Sequence, residues 1–221
     1  MADQDSRAGE RYATAQILEY AARIHHPPDP SLERAFEAPR RHGMPEIQVG
    51  PSEGRLLELL LRLAGAHKVV EVGTLAGYSA LWIARALPPH GRLWTIEADR
   101  DHAAVAQEVF EDAGLRDRVT LIHGDAAEVL PGLAAEGPFC TVFLDADKGR
   151  YDVYGRWATA NLRPGGLLIG DNAYLFGRLL EESEEARAMR RFHEEMAKSY
   201  RSVCVPTPDG LALGIRLDPS P

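Results

Sequence analysis

The chain has only two cysteines in 221 residues. Cys140 and Cys204 both sit in strand-like runs and read as small buried hydrophobes in a reducing compartment, not as a disulfide. No run of five basic residues occurs and the net charge is −8, which argues against a nucleic-acid surface. No apolar stretch approaches 18 residues, so no membrane-spanning segment is expected. The acidic start, Met1-Ala-Asp-Gln-Asp5, lacks an apolar signal region, and the chain reads as cytoplasmic. No His-x-x-x-His pair stands at helical spacing among the eight histidines, so zinc chemistry has little support. Repeats, low-complexity tracts and Gly/Ser linkers are also missing.

What is there changes character at Gly65. Before it the pattern is helical: Glu10–Ile24, Leu32–Ala38 capped by Ser31, and a helix after Ser52 with Leu56, Leu57, Leu60 and Leu61 on one face. After it strands and helices alternate. Strands are expected at Lys68–Val72, Arg92–Glu97, Val119–His123, Cys140–Leu144, Gly166–Gly170, Ser202–Val205 and Leu211–Arg216. Helices are expected at Tyr78–Leu87, Asp101–Ala113, Ala126–Leu130, Tyr151–Asn161 and Glu181–Tyr200. The alternation predicts an α/β fold, a parallel sheet with helices on both faces. The Thr207-Pro-Asp-Gly210 turn is too short for a crossover, so the last two strands must be antiparallel. Residues 1–65 read as an N-terminal helical extension of the same domain, and residues 66–221 as its core.

Chemistry-bearing residues gather at strand ends. Residues 141–144 and 167–169 are apolar runs joined by a helical crossover, which makes them parallel neighbours. Asp145, Asp171 and Asn172 then face one crevice, where open α/β sheets bind ligands. Each alone reads as a capping residue. Together they are three hard oxygen donors suited to Mg²⁺, Mn²⁺ or Ca²⁺, with positions left for a ligand bearing two adjacent oxygens. Lys148 lies at the same rim, where a metal and partial burial disfavour its charge, and could act as a general base; outside this motif it would read as a surface lysine.

The first strand runs into Glu71-Val-Gly73-Thr-Leu-Ala-Gly77-Tyr78-Ser79. Gly73 permits a tight turn, and Gly77 a close approach of a ligand or a helix. A dinucleotide fingerprint needs a glycine where Leu75 stands. A nucleoside ligand without a pyrophosphate fits better than NAD. Glu97 ends the second strand and suits ribose hydroxyls, or is a solvated acid. Asp125 could meet an adenine amine or simply cap the next helix. Tyr174, Leu175 and Phe176 could wall an aromatic substrate or cover the sheet.

Glu71–Ser79, Gly124-Asp-Ala126, Phe143-Leu-Asp-Ala-Asp-Lys148 with Tyr151, Arg163-Pro-Gly-Gly166, Asp171-Asn172 and Asp209-Gly-Leu211 together resemble the cation-dependent class I O-methyltransferases, the catechol and caffeoyl-CoA family. The resemblance covers roughly residues 44–217. It implies a Rossmann-like, seven-stranded sheet with one antiparallel strand, S-adenosylmethionine as methyl donor, and a divalent cation held by Asp145, Asp171 and Asn172. Glu71, Gly73, Thr74, Tyr78, Ser79, Glu97, Asp125, Ala126 and Asp145 would bind the donor. Lys148 would be the base, and Met44, Lys148, Asn172 and Tyr174 would meet a catechol-like acceptor. A homodimer through the N-terminal helices is also implied. Rival readings are a metal-independent methyltransferase and a non-catalytic S-adenosylmethionine-binding module.

Overall fold

The computed structural model describes residues 13–26 and 28–218. Three helices precede the first strand: α1 (Ala15–His25), α2 (Pro30–Arg41) and α3 (Pro51–Leu63). The expected start of α1 at Glu10 lies outside the described residues. Thr14 Oγ1 caps that helix by accepting from the Ile17 N–H at 3.3 Å. None of its residues is buried.

The caps of the next two helices differ from expectation. Asp29, not Ser31, caps α2: its Oδ1 accepts from the Ser31 and Leu32 N–H groups. Pro30 then takes the first helical position, where a missing N–H costs nothing. Gly50 stands at the cap of α3 in place of Ser52, with Pro51 at the first position. Glu53 Oε2 accepts from the Gly50 N–H at 2.9 Å. In both cases a proline just inside the helix moved the start upstream of the nearest serine.

The core alternates β1 (Lys68–Val72), α4 (Tyr78–Ala86), β2 (Arg92–Glu97), α5 (Arg100–Asp112), β3 (Val119–His123), α6 (Ala126–Leu133), β4 (Phe139–Leu144), α7 (Tyr151–Asn161), β5 (Leu162–Gly170), α8 (Glu184–Ser199), β6 (Tyr200–Val205) and β7 (Leu211–Arg216). The seven strands order as β3-β2-β1-β4-β5-β7-β6. Strands β1 to β5 pair in parallel, and β7 is antiparallel to both β5 and β6. This is the sheet that the sequence predicted, down to its single antiparallel strand. β5 starts four residues early, at Leu162, because Phe139 pairs with Leu162 before the register shifts. α8 starts late, at Glu184. Ser183 caps it, and Arg190 donates to the Leu179 and Glu181 carbonyls, holding the residues before it in turns.

Each sheet face carries its own core. One buries Leu57, Leu61, Trp82, Ile83, Phe110, Phe143 and Ile169, and includes Leu32 and Ala35 of α2. The other buries Val70, Phe139, Leu144, Tyr151, Met189 and Phe192. At about 25 cal/mol per Å² of apolar surface removed from water, these two layers are the main force holding the strand ends in place. Cys140 is buried, Cys204 half-buried, and both are free. Among the described residues no helix is long and apolar enough to cross a membrane.

Candidate active site

The strand order reverses between β1 and β4, whose successors β2 and β5 lie on opposite sides. A ligand crevice is expected above that point. A cleft of about 610 Å³ opens there.

Gly73 makes the crevice narrow at its base. Its φ is +97°, and a Cβ there would lie 2.2 Å from the Asp145 carbonyl oxygen. The turns after β1 and β4 therefore meet backbone to backbone. Gly73→Ala should cost about 1–3 kcal/mol in strain alone, plus the displacement of Asp145. A urea titration should show the lowered midpoint; an unchanged midpoint would count against the close approach. Gly77 (φ +85°) answers to packing, since a Cβ there would meet the Phe110 ring of α5 at 2.6 Å.

Leu75, where a dinucleotide fingerprint has glycine, holds a left-handed φ of 50°. The Glu97 carboxylate fastens it. Oε2 accepts from the Thr74 N–H at 3.1 Å and the Leu75 N–H at 2.8 Å, and Oε1 from the Asp99 N–H at 2.9 Å. Glu97 still lines the cleft. Behind this turn the Thr74 and Thr95 hydroxyls lie 2.5 Å apart, and Thr95 donates to Glu71 Oε2 at 2.6 Å. Glu71 is wholly buried and is not part of the cleft lining. Burial pushes its carboxyl up to about 8, against the Ser79 and Thr95 hydroxyls and helped by the charges of Asp145 and Glu97.

At the other end, the Asp145 N–H donates to the Val72 carbonyl at 2.8 Å and the Asp171 N–H to the Leu144 carbonyl at 2.9 Å. Backbone pairing thus sets both carboxylates at adjacent strand ends. The buried Tyr151 hydroxyl lies 2.8 Å from the carbonyl oxygens of both Leu144 and Asp171. It accepts from Lys148 Nζ at 3.0 Å, and that ammonium also reaches Asp145 Oδ1 at 2.9 Å. Burial raises the Asp145 carboxyl while Lys148 opposes the rise. Burial and the Asp145 charge push Asp171 up to about 6. Asn172 has φ +52° and donates its N–H to Asp171 Oδ1 at 2.8 Å. The carboxyl of Glu53, in the first turn of α3, is raised by burial, against the Gly50 N–H and helped by the charges of Asp171 and Asp209.

Of the residues picked out in the sequence, Gly73, Thr74, Tyr78, Ser79, Glu97, Asp125, Ala126, Asp145, Lys148, Asn172 and Phe176 line this one cleft. Asp171 is buried directly before Asn172. Asp125 caps α6 through the Ala127 N–H, and Arg150 grips both its carboxylate oxygens at 2.8 and 2.6 Å. Met44 and Tyr174 are not in the lining: Ile47–Val49 and Phe176 reach the cleft from their loops instead. His102, Arg150 and Tyr154 also line it. Arg150 and Tyr154 stand two and six residues beyond Lys148, so proximity to that motif was their one available signal. Among the described residues no three His, Cys, Asp or Glu side chains form a metal-binding group. The candidate set has two carboxylates and an amide.

A family model described as O-methyltransferase matches residues 26–217. The chain belongs to the O-methyltransferase family. This O-methyltransferase is 42% identical to a catechol O-methyltransferase of Niastella koreensis, over 85% of this chain and 90% of that one. It is 40% identical to a catechol O-methyltransferase of Mycobacterium tuberculosis, over 73% of each. Among solved structures, the O-methyltransferase TomG of Streptomyces achromogenes, in complex with SAM, superposes with a TM-score of 0.86 at 32% identity, covering 98% of this chain and 100% of that one. A Bacillus cereus O-methyltransferase in complex with SAH gives 0.84 at 33% identity, over 90% and 96%. The family and the enzyme class expected from the motifs are those found.

Proposed function

We propose that this O-methyltransferase transfers a methyl group from S-adenosylmethionine to one hydroxyl of a catechol-like vicinal diol, with a divalent cation required. The observation that carries the reading is one cleft with two chemically different ends. Glu97, Thr74 and Asp125 offer acceptors suited to a nucleoside, while Asp145, Asn172 and Lys148 form a polar rim beside Asp171. The names of the Niastella and Mycobacterium relatives support the acceptor class.

The donor set fits a hard cation. Two neighbouring carboxylates, both disfavoured as anions by burial, face one ammonium, so positive charge is in deficit. Asp145, Asp171 and Asn172 would hold Mg²⁺, with Mn²⁺ or Ca²⁺ as alternatives. Such an ion, when bound, makes an adjacent hydroxyl more acidic and gathers two oxygens at one point. With that ion supplying the positive charge, Lys148 would act in its neutral amine form and accept the proton of the hydroxyl to be methylated. Gly73, Tyr78, Ser79, Glu97 and Ala126 orient the donor. The protein's contribution is chiefly to hold acceptor oxygen and methyl carbon in line.

Glu97→Ala should weaken binding of S-adenosylhomocysteine by about tenfold or more, since it removes hydrogen bonds worth about 0.5–1.5 kcal/mol each and loosens the Leu75 turn. Calorimetry that found unchanged affinity would count against this donor site. We further place the enzyme in the cytoplasm as a homodimer built on α1–α3; sedimentation as a monomer at micromolar concentration would sink the latter.

The Lys148–Asp145 contact at 2.9 Å favours a second reading, in which the lysine replaces the cation and the enzyme is metal-independent. A methyl-transfer screen over catechols and single-hydroxyl phenols, with Mg²⁺ or with chelator, separates the two. Turnover confined to diols and lost in chelator supports the first.

A further inference from the structure

The β6–β7 turn reaches back to the segment that follows Asn172. The Ala173 N–H donates to the Gly210 carbonyl at 2.9 Å, and the Tyr174 N–H to the Asp209 carbonyl at 2.9 Å. Two residues on, the Phe176 N–H donates to Asp209 Oδ1 at 2.8 Å. Gly210 has φ +76°, and a Cβ there would stand 2.7 Å from Tyr174 Cγ, so the two turns interlock. Leu175 and Phe176 are both left-handed, at φ 52° and 54°. Bulky residues persist in that region only where the surroundings fix them. Leu175 is fixed by complete burial in the core. Phe176 has no such anchor: the residue is 61% exposed, yet it lines the cleft that holds Lys148 and Asn172. Its fastening is the hydrogen bond to Asp209.

We propose that Asp209 is a positioning residue for the acceptor. It holds Phe176 in the left-handed turn that sets the aromatic ring at the cleft, where the planar ring of the acceptor packs against it. The inference rests on the acceptor reading above and extends it from the two oxygens to the ring that carries them. It also explains a polar residue in a hairpin turn that the proposed chemistry leaves unused.

The test compares Asp209→Ala, Asp209→Asn and Phe176→Ala in the full-length enzyme with Mg²⁺ and catechol. Asp209→Ala should raise the acceptor KM by about three- to tenfold, the range one lost hydrogen bond allows. Calorimetric affinity for S-adenosylhomocysteine should not move. Asp209→Asn should restore the acceptor KM, because its amide oxygen still accepts from Phe176. Adding Asp209→Ala to Phe176→Ala should change little further. Hydrogen exchange of the Phe176 amide should quicken in Asp209→Ala alone of the two Asp209 variants. An Asp209→Asn enzyme behaving like Asp209→Ala would overturn the proposal, since negative charge beside Asp171 would then be what matters. Unchanged exchange, or an unchanged acceptor KM, in Asp209→Ala would overturn it while wild-type turnover stays normal. A wild type inactive on every diol would instead sink the acceptor reading beneath it, even with the exchange pattern as expected.

Discussion

Asp145→Ala should abolish the response of turnover to Mg²⁺. The Asp145 N–H is held by the Val72 carbonyl, and its own carbonyl packs on Gly73. The backbone of the variant therefore has every reason to stay in place, and the change is confined to one carboxylate. Two losses follow. One of the three proposed cation donors disappears, leaving Asp171 and Asn172 alone. The ammonium of Lys148, only 12% exposed at its side chain, also loses the anion 2.9 Å away. A diol acceptor would then have neither its anchor nor a correctly placed base, so both kcat and acceptor binding should fall. The measurement is initial rate against Mg²⁺ and chelator for wild type and variant. Full wild-type activity in excess chelator, or a variant that still responds normally to Mg²⁺, would falsify the cation site.

Lys148→Ala should do something different. Asp145, Asp171 and Asn172 remain, so cation affinity should survive, while the chemical step slows by roughly 10²–10⁴-fold if the amine is the base. Raising the pH should recover part of the rate, because hydroxide or an already ionised acceptor can substitute. The variant also leaves the Tyr151 hydroxyl without its donor, but that hydroxyl keeps the Leu144 and Asp171 carbonyls as acceptors. The half-buried Asp145 carboxylate loses its ammonium partner as well, so thermal stability is to be compared with Mg²⁺ present, where it should change little and so separate a catalytic loss from a folding one. A single-turnover experiment with donor prebound isolates the step. An unchanged single-turnover rate would remove Lys148 from the reaction.

The parts of this molecule legible in its sequence were those fixed by short-range rules. Apolar runs ended by Asp145 and Asp171 could only be buried strands, and a helical crossover between them could only make them neighbours. The four-residue turn before Leu211 allowed nothing but an antiparallel pair. Helix starts were less legible: Ser31 and Ser52 looked like caps, yet Pro30 and Pro51 each drew the start upstream, to Asp29 and Gly50. The cleft's floor was visible for the same reason as the strands, since each floor residue follows directly on a strand end. Its walls were legible only at Phe176, singled out with Tyr174 and Leu175 as a possible wall for an aromatic substrate. Ile47, His102 and Arg150 reach it from loops and helix starts whose path depends on tertiary packing. Met44 and Tyr174, expected to meet the acceptor, stand near Ile47 and Phe176 in sequence but do not line the cleft. Glu71 shows the limit of motif reading from another side: it stands in the right motif but is wholly buried behind the turn and does not line the cleft.

Among the described residues, the four non-glycine positions with left-handed backbone, Leu75, Asn172, Leu175 and Phe176, all lie in the two turns flanking the cleft. This concentration bears on how the protein could be made hardier. Replacing Leu75 or Phe176 with glycine removes a conformational penalty of order 1 kcal/mol or more in the folded chain. Against this, glycine gives the unfolded chain more freedom to lose on folding, and it leaves two turns less rigid beside the reacting groups. Thermal robustness and turnover are therefore set against each other at these four positions. A campaign for heat resistance would do better away from these two turns.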